Sequence, residues 1–107
     1  MAVKIYTSKE VSQIMESGMI AYETHMRIRE HIRPGVSTAE LDEVAREFIY
    51  SKNAKPAFLG LYGFPACICA CVNDSVVHGI PDEKTVIREG DVLSIDLGVG
   101  YNGYFSD

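Results

Sequence analysis

The stretch Ser94-Ile95-Asp96-Leu97-Gly98-Val99-Gly100-Tyr101-Asn102-Gly103-Tyr104-Phe105, closed by Ser106 and Asp107, decides the fold. Val92, Leu93 and Ile95 lead into it as an apolar run, the mark of a buried strand. Asn102-Gly103 is the strongest short-range hairpin signal in the chain, because a tight primed turn needs positive φ at its two central residues. A turn on that dipeptide sets Tyr101 against Tyr104 and Asp107 opposite Gly98. Asp96 lies two residues before Gly98, so side-chain alternation predicts both carboxylates on one face. Centring the turn on Tyr101-Asn102 makes Asp96 and Asp107 direct partners, again on one face, whereas a three-residue loop breaks the parity. Two acids on one face of a buried hairpin repel each other and resist desolvation, and so call for a cation between them or a shared proton. A plainer reading stands beside this one: Asp107 is a solvated terminal acid and Asp96 a strand-end acid.

The rest of the composition narrows the class. A chain of 107 residues buries one modest core, and 47% hydrophobic with 23% charged residues is ordinary for a globular protein. A net charge of −5 provides no basic stripe for phosphates, so nucleic acid is not expected as a partner. No apolar run reaches membrane-spanning length, and the start lacks the apolar segment of a signal peptide. Cys67, Cys69 and Cys71 alternate along one predicted strand, on one face and too close to bridge one another comfortably. No disulfide framework is expected, which fits a reducing cytoplasm. The three thiols read first as small buried residues, then as pocket lining, and last as metal ligands, since structural zinc sites favour Cys-x₂₋₄-Cys pairs.

Upstream, Thr7 with Glu10 and Ser37 with Glu40 form two capping boxes, each opening a helix. Val11, Ile14, Met15, Gly18, Met19, Tyr22, Met26 and Ile32 mark the expected apolar face of the first helix, which Pro34-Gly35 must end. His25 and His31 are expected to face solvent or bond locally. Leu41, Val44, Ala45, Phe48 and Ile49 stripe the second helix; Glu40, Asp42, Glu43, Arg46 and Glu47 are its expected solvated face. Lys55 to Pro65 reads as a loop whose aromatics fill a core or wall a pocket. Cys67 to Val72 is a strand, Asn73-Asp74-Ser75 a turn, and Val76-Val77-His78 a second strand whose terminal His can reach a cleft. Two helices on an antiparallel sheet make a single α+β unit over 1–107.

The segment Val72-Asn73-Asp74-Ser75-Val76-Val77-His78-Gly79-Ile80-Pro81 resembles the V-N-x-x-V-x-H-G-I-P motif of methionine aminopeptidases. Gly90-Asp91 through Ile95-Asp96, Gly103 and Asp107 are similar to that family's metal-ligand stretch, and Lys55-Pro56-Ala57-Phe58 and Tyr62-Gly63-Phe64-Pro65 fit its bacterial type I branch. The resemblance implies the N-terminal half of a pita-bread fold and a dinuclear metallohydrolase that removes initiator methionine from nascent chains in the cytoplasm. It implies Asp96 and Asp107 as ligands of two divalent ions (Co, Mn, Fe or Zn), and His78 as the group that stabilises the tetrahedral intermediate. Phe58, Phe64 and Cys69, with His78, become substrate-binding residues around the methionine side chain. The family is more than twice as long, and its other ligands, a His and two Glu, lie beyond the position of Asp107. The expectation is therefore a truncated N-terminal portion of the catalytic domain, weak in metal and inactive alone, whose partner is the C-terminal half of the fold or a second copy. The alternatives are a non-catalytic pita-bread-like binding module and an Xaa-Pro peptidase relative; the short lead-in, without a preceding domain, argues against the latter.

Overall fold

The computed structural model describes residues 5–73 and 79–107. Helix α1 runs Ser8–His31 and α2 Thr38–Ser51. The first capping box forms as expected, and the second forms in its Ser37 half. Thr7 and Glu10 bond each other's backbone amides at 3.1 and 3.0 Å, while Ser37 accepts from the Glu40 amide at 3.1 Å. Gly35 adopts φ +98° in the turn between the helices, and its amide donates to the Ile87 carbonyl.

The strands are β1 (Lys55–Pro56), β2 (Ile68–Val72), β3 (Leu93–Leu97), β4 (Val99–Tyr101) and β5 (Tyr104–Ser106). They form two antiparallel sheets, one ordered β1-β4-β5 and one pairing β2 with β3. Gly98 is the joint where the chain leaves one sheet and enters the other. The Asn102-Gly103 turn forms with φ of +51° and +83°, pairing Tyr101 with Tyr104 and Val99 with Ser106. That is the first of the two registers allowed above, and it puts Asp107 opposite Gly98. Strand β1 lies inside the segment read as loop: two residues give no periodicity, and Pro56 discourages a strand reading.

Ile28, Leu41, Ile49, Ile68, Leu97 and Val99 are the largest wholly buried side chains, and they join both helices to both sheets. The second helix buries Leu41, Ala45 and Ile49 as expected. The first does not follow its predicted face. It buries Ser17, Ile20, Ala21, Thr24 and Ile28, and leaves Val11, Met15, Met19, Tyr22, Met26 and Ile32 exposed. Small residues let α1 approach β4 and β5 closely, and Gly18 sits against Ser106. The two hydroxyls are affordable inside because each bonds its own helix, Ser17 Oγ to the Ile14 carbonyl at 2.8 Å and Thr24 Oγ1 to the Ile20 carbonyl at 2.7 Å. Asp42 also departs from expectation: it is 8% exposed and belongs to the interior. The strand leading to Asp96 is half-buried rather than buried, with Val92 exposed and Leu93 and Ile95 partly covered. His25 faces solvent, and His31 Nδ1 bonds the Arg27 carbonyl oxygen at 2.9 Å.

Candidate metal and substrate site

Gly98 organises the site. A Cβ there would stand 3.0 Å from the Phe58 ring and 3.1 Å from the Ala57 Cβ, and the Ala57 amide donates to the Gly98 carbonyl at 2.9 Å. Phe58 is thereby laid across the β3–β4 joint. The following loop folds back on itself, the Gly60 amide donating to the Phe64 carbonyl at 2.8 Å and the Phe64 amide to the Leu61 carbonyl at 2.9 Å. Gly60 and Gly63 take positive φ, as does Tyr62 (φ +50°, ψ +33°) at the tip. The result is an edge-to-face contact of Phe58 and Phe64, with ring centroids 6.5 Å apart and planes at 89°.

Strand β2 brings the thiol. Cys69 pairs with Asp96 across the β2–β3 ladder, and a cavity of about 260 Å³ is lined by Phe58, Leu61, Phe64, Cys69 and Asp96. A second cavity of about 380 Å³ shares Phe58 and Leu61 and carries Gly98, Phe105, Ser106 and Asp107. The two candidate ligands thus stand in the walls of two cavities that share Phe58 and Leu61. Four of the sequence-chosen site residues, Phe58, Phe64, Cys69 and Asp96, meet in one cavity; Asp107 lies in its neighbour. His78 falls outside the described residues. Both flanks of its segment are held: the Asn73 amide donates to the Val92 carbonyl at 2.7 Å, and the Ala70 amide to the Gly79 carbonyl at 2.7 Å.

Burial pushes the Cys69 thiol up, and the Asp96 charge and then Cys71 add to the rise, so Cys69 is an uncharged thiol at neutral pH. Cys69 and Cys71 are half-buried, while Cys67 precedes the strand and is fully buried. All three are free thiols. Asp96 and Asp107 are exposed, which corrects the expectation of buried acids: water solvates each carboxylate, and the mutual repulsion is screened. Among the described residues no three His, Cys, Asp or Glu side chains come together as a metal-holding group. As hard oxygen donors the two carboxylates are of a kind that suits a divalent ion, and two of them do not make a closed shell.

Leu61 is the lining residue that sequence reasoning missed; its one signal was an aliphatic side chain between Gly60 and Tyr62 in a loop otherwise rich in rings. Asp42 was missed as well. It lies three residues before Ala45 and seven before Ile49, on the stripe's own edge, and that spacing could have revealed it.

The sequence and the fold are shared with known proteins. Residues 12–107 match the model of metallopeptidase family M24, and the chain belongs to that family. Its relatives include the methionine aminopeptidase of Helicobacter pylori, 43% identical over 107 residues, and methionine aminopeptidase 1 of Bacillus subtilis, 45% identical over 101. The alignments cover 100% and 94% of this chain but 42% and 40% of those proteins. The crystal structure of methionine aminopeptidase from Rickettsia prowazekii superposes with a TM-score of 0.92 at 38% identity, over 97% of this chain and 42% of that one. An X-Pro aminopeptidase of Thermotoga maritima, 20% identical with a TM-score of 0.76, shares the pita-bread fold alone. The chain therefore spans about two fifths of the length of the methionine aminopeptidases it matches.

Proposed function

We propose that the chain is the N-terminal part of a metal-dependent aminopeptidase that removes the initiator methionine from nascent proteins in the cytoplasm. The observation that carries this reading is the cavity in which Phe58, Leu61, Phe64 and Cys69 surround an apolar space with Asp96 in the wall. Rings, an aliphatic side chain and an uncharged thiol suit a thioether side chain. Asp96 and Asp107 would hold one edge of a site for two divalent ions (Co, Mn, Fe or Zn), which supply a lowered-pKa water as nucleophile when bound. The carboxylates orient that edge against the methionine pocket, so a peptide seated by its first side chain presents its first peptide bond beside them. His78 is assigned the role of donor to the tetrahedral intermediate, on the family motif alone. The ligands still needed come from the C-terminal half of the fold or from a second copy.

The test is methionine release from a Met-Ala-Ser peptide with Mn²⁺ or Co²⁺, beside an Asp96→Asn control. The chain by itself is expected to bind metal weakly and release nothing, and to gain release when the C-terminal half of a relative is added, with loss in the control. Titration of two tightly bound ions into the chain alone, without self-association, would overturn the ligand assignment. No release after complementation would leave a non-catalytic binding module as the better reading.

A further inference from the structure

Asp42 is a buried acid that this reading leaves without a role. It sits on α2, 8% exposed, and its Oδ1 accepts from the Cys67 amide at 2.8 Å and the Ile68 amide at 3.1 Å. These are the last residue before β2 and the first residue in it. Its other oxygen, Oδ2, lies 3.7 Å from an Arg46 guanidinium nitrogen one turn along the helix, and Arg46 Nε is buried with no hydrogen-bond partner among the described residues. A carboxylate would not be taken out of water to fill space, since an apolar residue does that at lower cost. Two consecutive amides converging on one oxygen fix both the place and the direction in which a strand begins. Ile68 then pairs with Leu97, and Cys69 with Asp96.

We infer that Asp42 is a positioning residue: by holding the Cys67 and Ile68 amides it sets where β2 starts, and so places the Cys69 thiol in the cavity beside Asp96, Phe58 and Phe64. The inference rests on the proposed methionine pocket for its use, but its geometry concerns the chain alone. The acceptor oxygen is what matters, and the charge is secondary. Asp42→Asn, which keeps an oxygen at Oδ1, should therefore behave like the parent, and Asp42→Ala should not.

Amide hydrogen exchange at Cys67 and Ile68 is read by NMR, and alkylation of Cys69 relative to Cys71 by mass spectrometry, with protection at Ala45 and Ile49 as the check on the fold. Asp42→Ala should speed exchange at the two amides by about tenfold or more and change the Cys69-to-Cys71 alkylation ratio at least threefold. Asp42→Asn should stay within about twofold of the parent in both. If Asp42→Ala does not fold, Asp42→Ser, whose shorter oxygen cannot reach both amides, is read the same way. An alanine or serine variant with parental exchange and alkylation overturns the inference. So does an asparagine variant as perturbed as alanine, because charge pairing with Arg46 would then be the role. Neither readout involves methionine release, so a chain that fails the peptide assay can still pass or fail here.

Discussion

Cys67 shows how a single buried group makes the fold sensitive to pH. Burial raises its thiol from 9.0 to about 11, with the Asp42 charge adding to the rise and Arg46 opposing it. Between those values the unfolded chain gives up the Cys67 proton while the folded chain keeps it. The unfolded state then binds fewer protons, and stability falls as pH rises from about 9 to about 11. Below 9 both states are protonated and the group contributes no slope. Cys67→Ala should flatten this part of the profile, measured as the difference in urea midpoint between variant and parent across that window; parallel profiles would refute it. Gly79 is constrained sterically instead. It has φ +52°, and a Cβ would lie 2.8 Å from Cys71 Sγ, 3.1 Å from the Ala70 nitrogen and 3.4 Å from the Cys69 Cβ. The thiol can swing aside, but the Ala70 backbone cannot, because its amide is bonded to the Gly79 carbonyl. Gly79→Ala should cost roughly 1–3 kcal/mol by chemical denaturation, and Cys71→Ala beside it should recover only part of that loss.

The two helix starts use the same chemistry in different surroundings, and the difference sets the cost of breaking them. Thr7 lies in solvent, where water can replace the lost acceptor. Ser37 is 5% exposed and itself forms an antiparallel bridge with Val86, so removing its hydroxyl also leaves a gap in a packed setting. Thr7→Ala is expected near the low end, and Ser37→Ala near the high end, of the roughly 0.5–2 kcal/mol range for N-cap truncation. Equal losses in thermal denaturation would show that burial does not matter here. Caps and turns of this kind were legible from the chain because each depends on two or three neighbouring residues: Thr7 with Glu10, Pro34-Gly35, Asn102-Gly103. Features set by distant partners were not. The buried face of α1 was misassigned because Ser17 and Thr24 look polar until their hydroxyls bond the Ile14 and Ile20 carbonyls. Asp42 looked solvated until Cys67 and Ile68, at the start of β2, supplied two amides from 25 and 26 residues away. Phe58, Phe64 and Asp96 were found through short motifs and Cys69 through the family resemblance, whereas Leu61 carries no such signal and needed the folded loop.

On the scale of the whole molecule, the misassigned helix has a physical consequence. Met15, Met19 and Tyr22 are 68%, 57% and 60% exposed, and Val11 and Met26 extend the same stripe by further helical turns. Monomers seldom leave a continuous apolar stripe in water, and flexible thioether side chains adapt readily to whatever surface meets them. The opposite face of α1 is already engaged by α2, β4 and β5, so the stripe is not part of the core. The chain is therefore expected to bind a hydrophobic dye and to self-associate as concentration rises, seen as an increasing weight-average mass in sedimentation. Changing Met15, Met19 and Tyr22 together to Gln should abolish both effects and leave the melting temperature within a few degrees of the parent, because more than half of each side chain is in water already. A parent chain that stays monomeric without dye binding would refute this. A variant that loses much of its stability would show instead that the stripe supports the fold. The distinction bears on the peptide assay, where a second copy is one proposed source of ligands beyond Asp96 and Asp107. If the Gln variant is monomeric and still gains methionine release from an added C-terminal half, self-association through this stripe is not what completes the site.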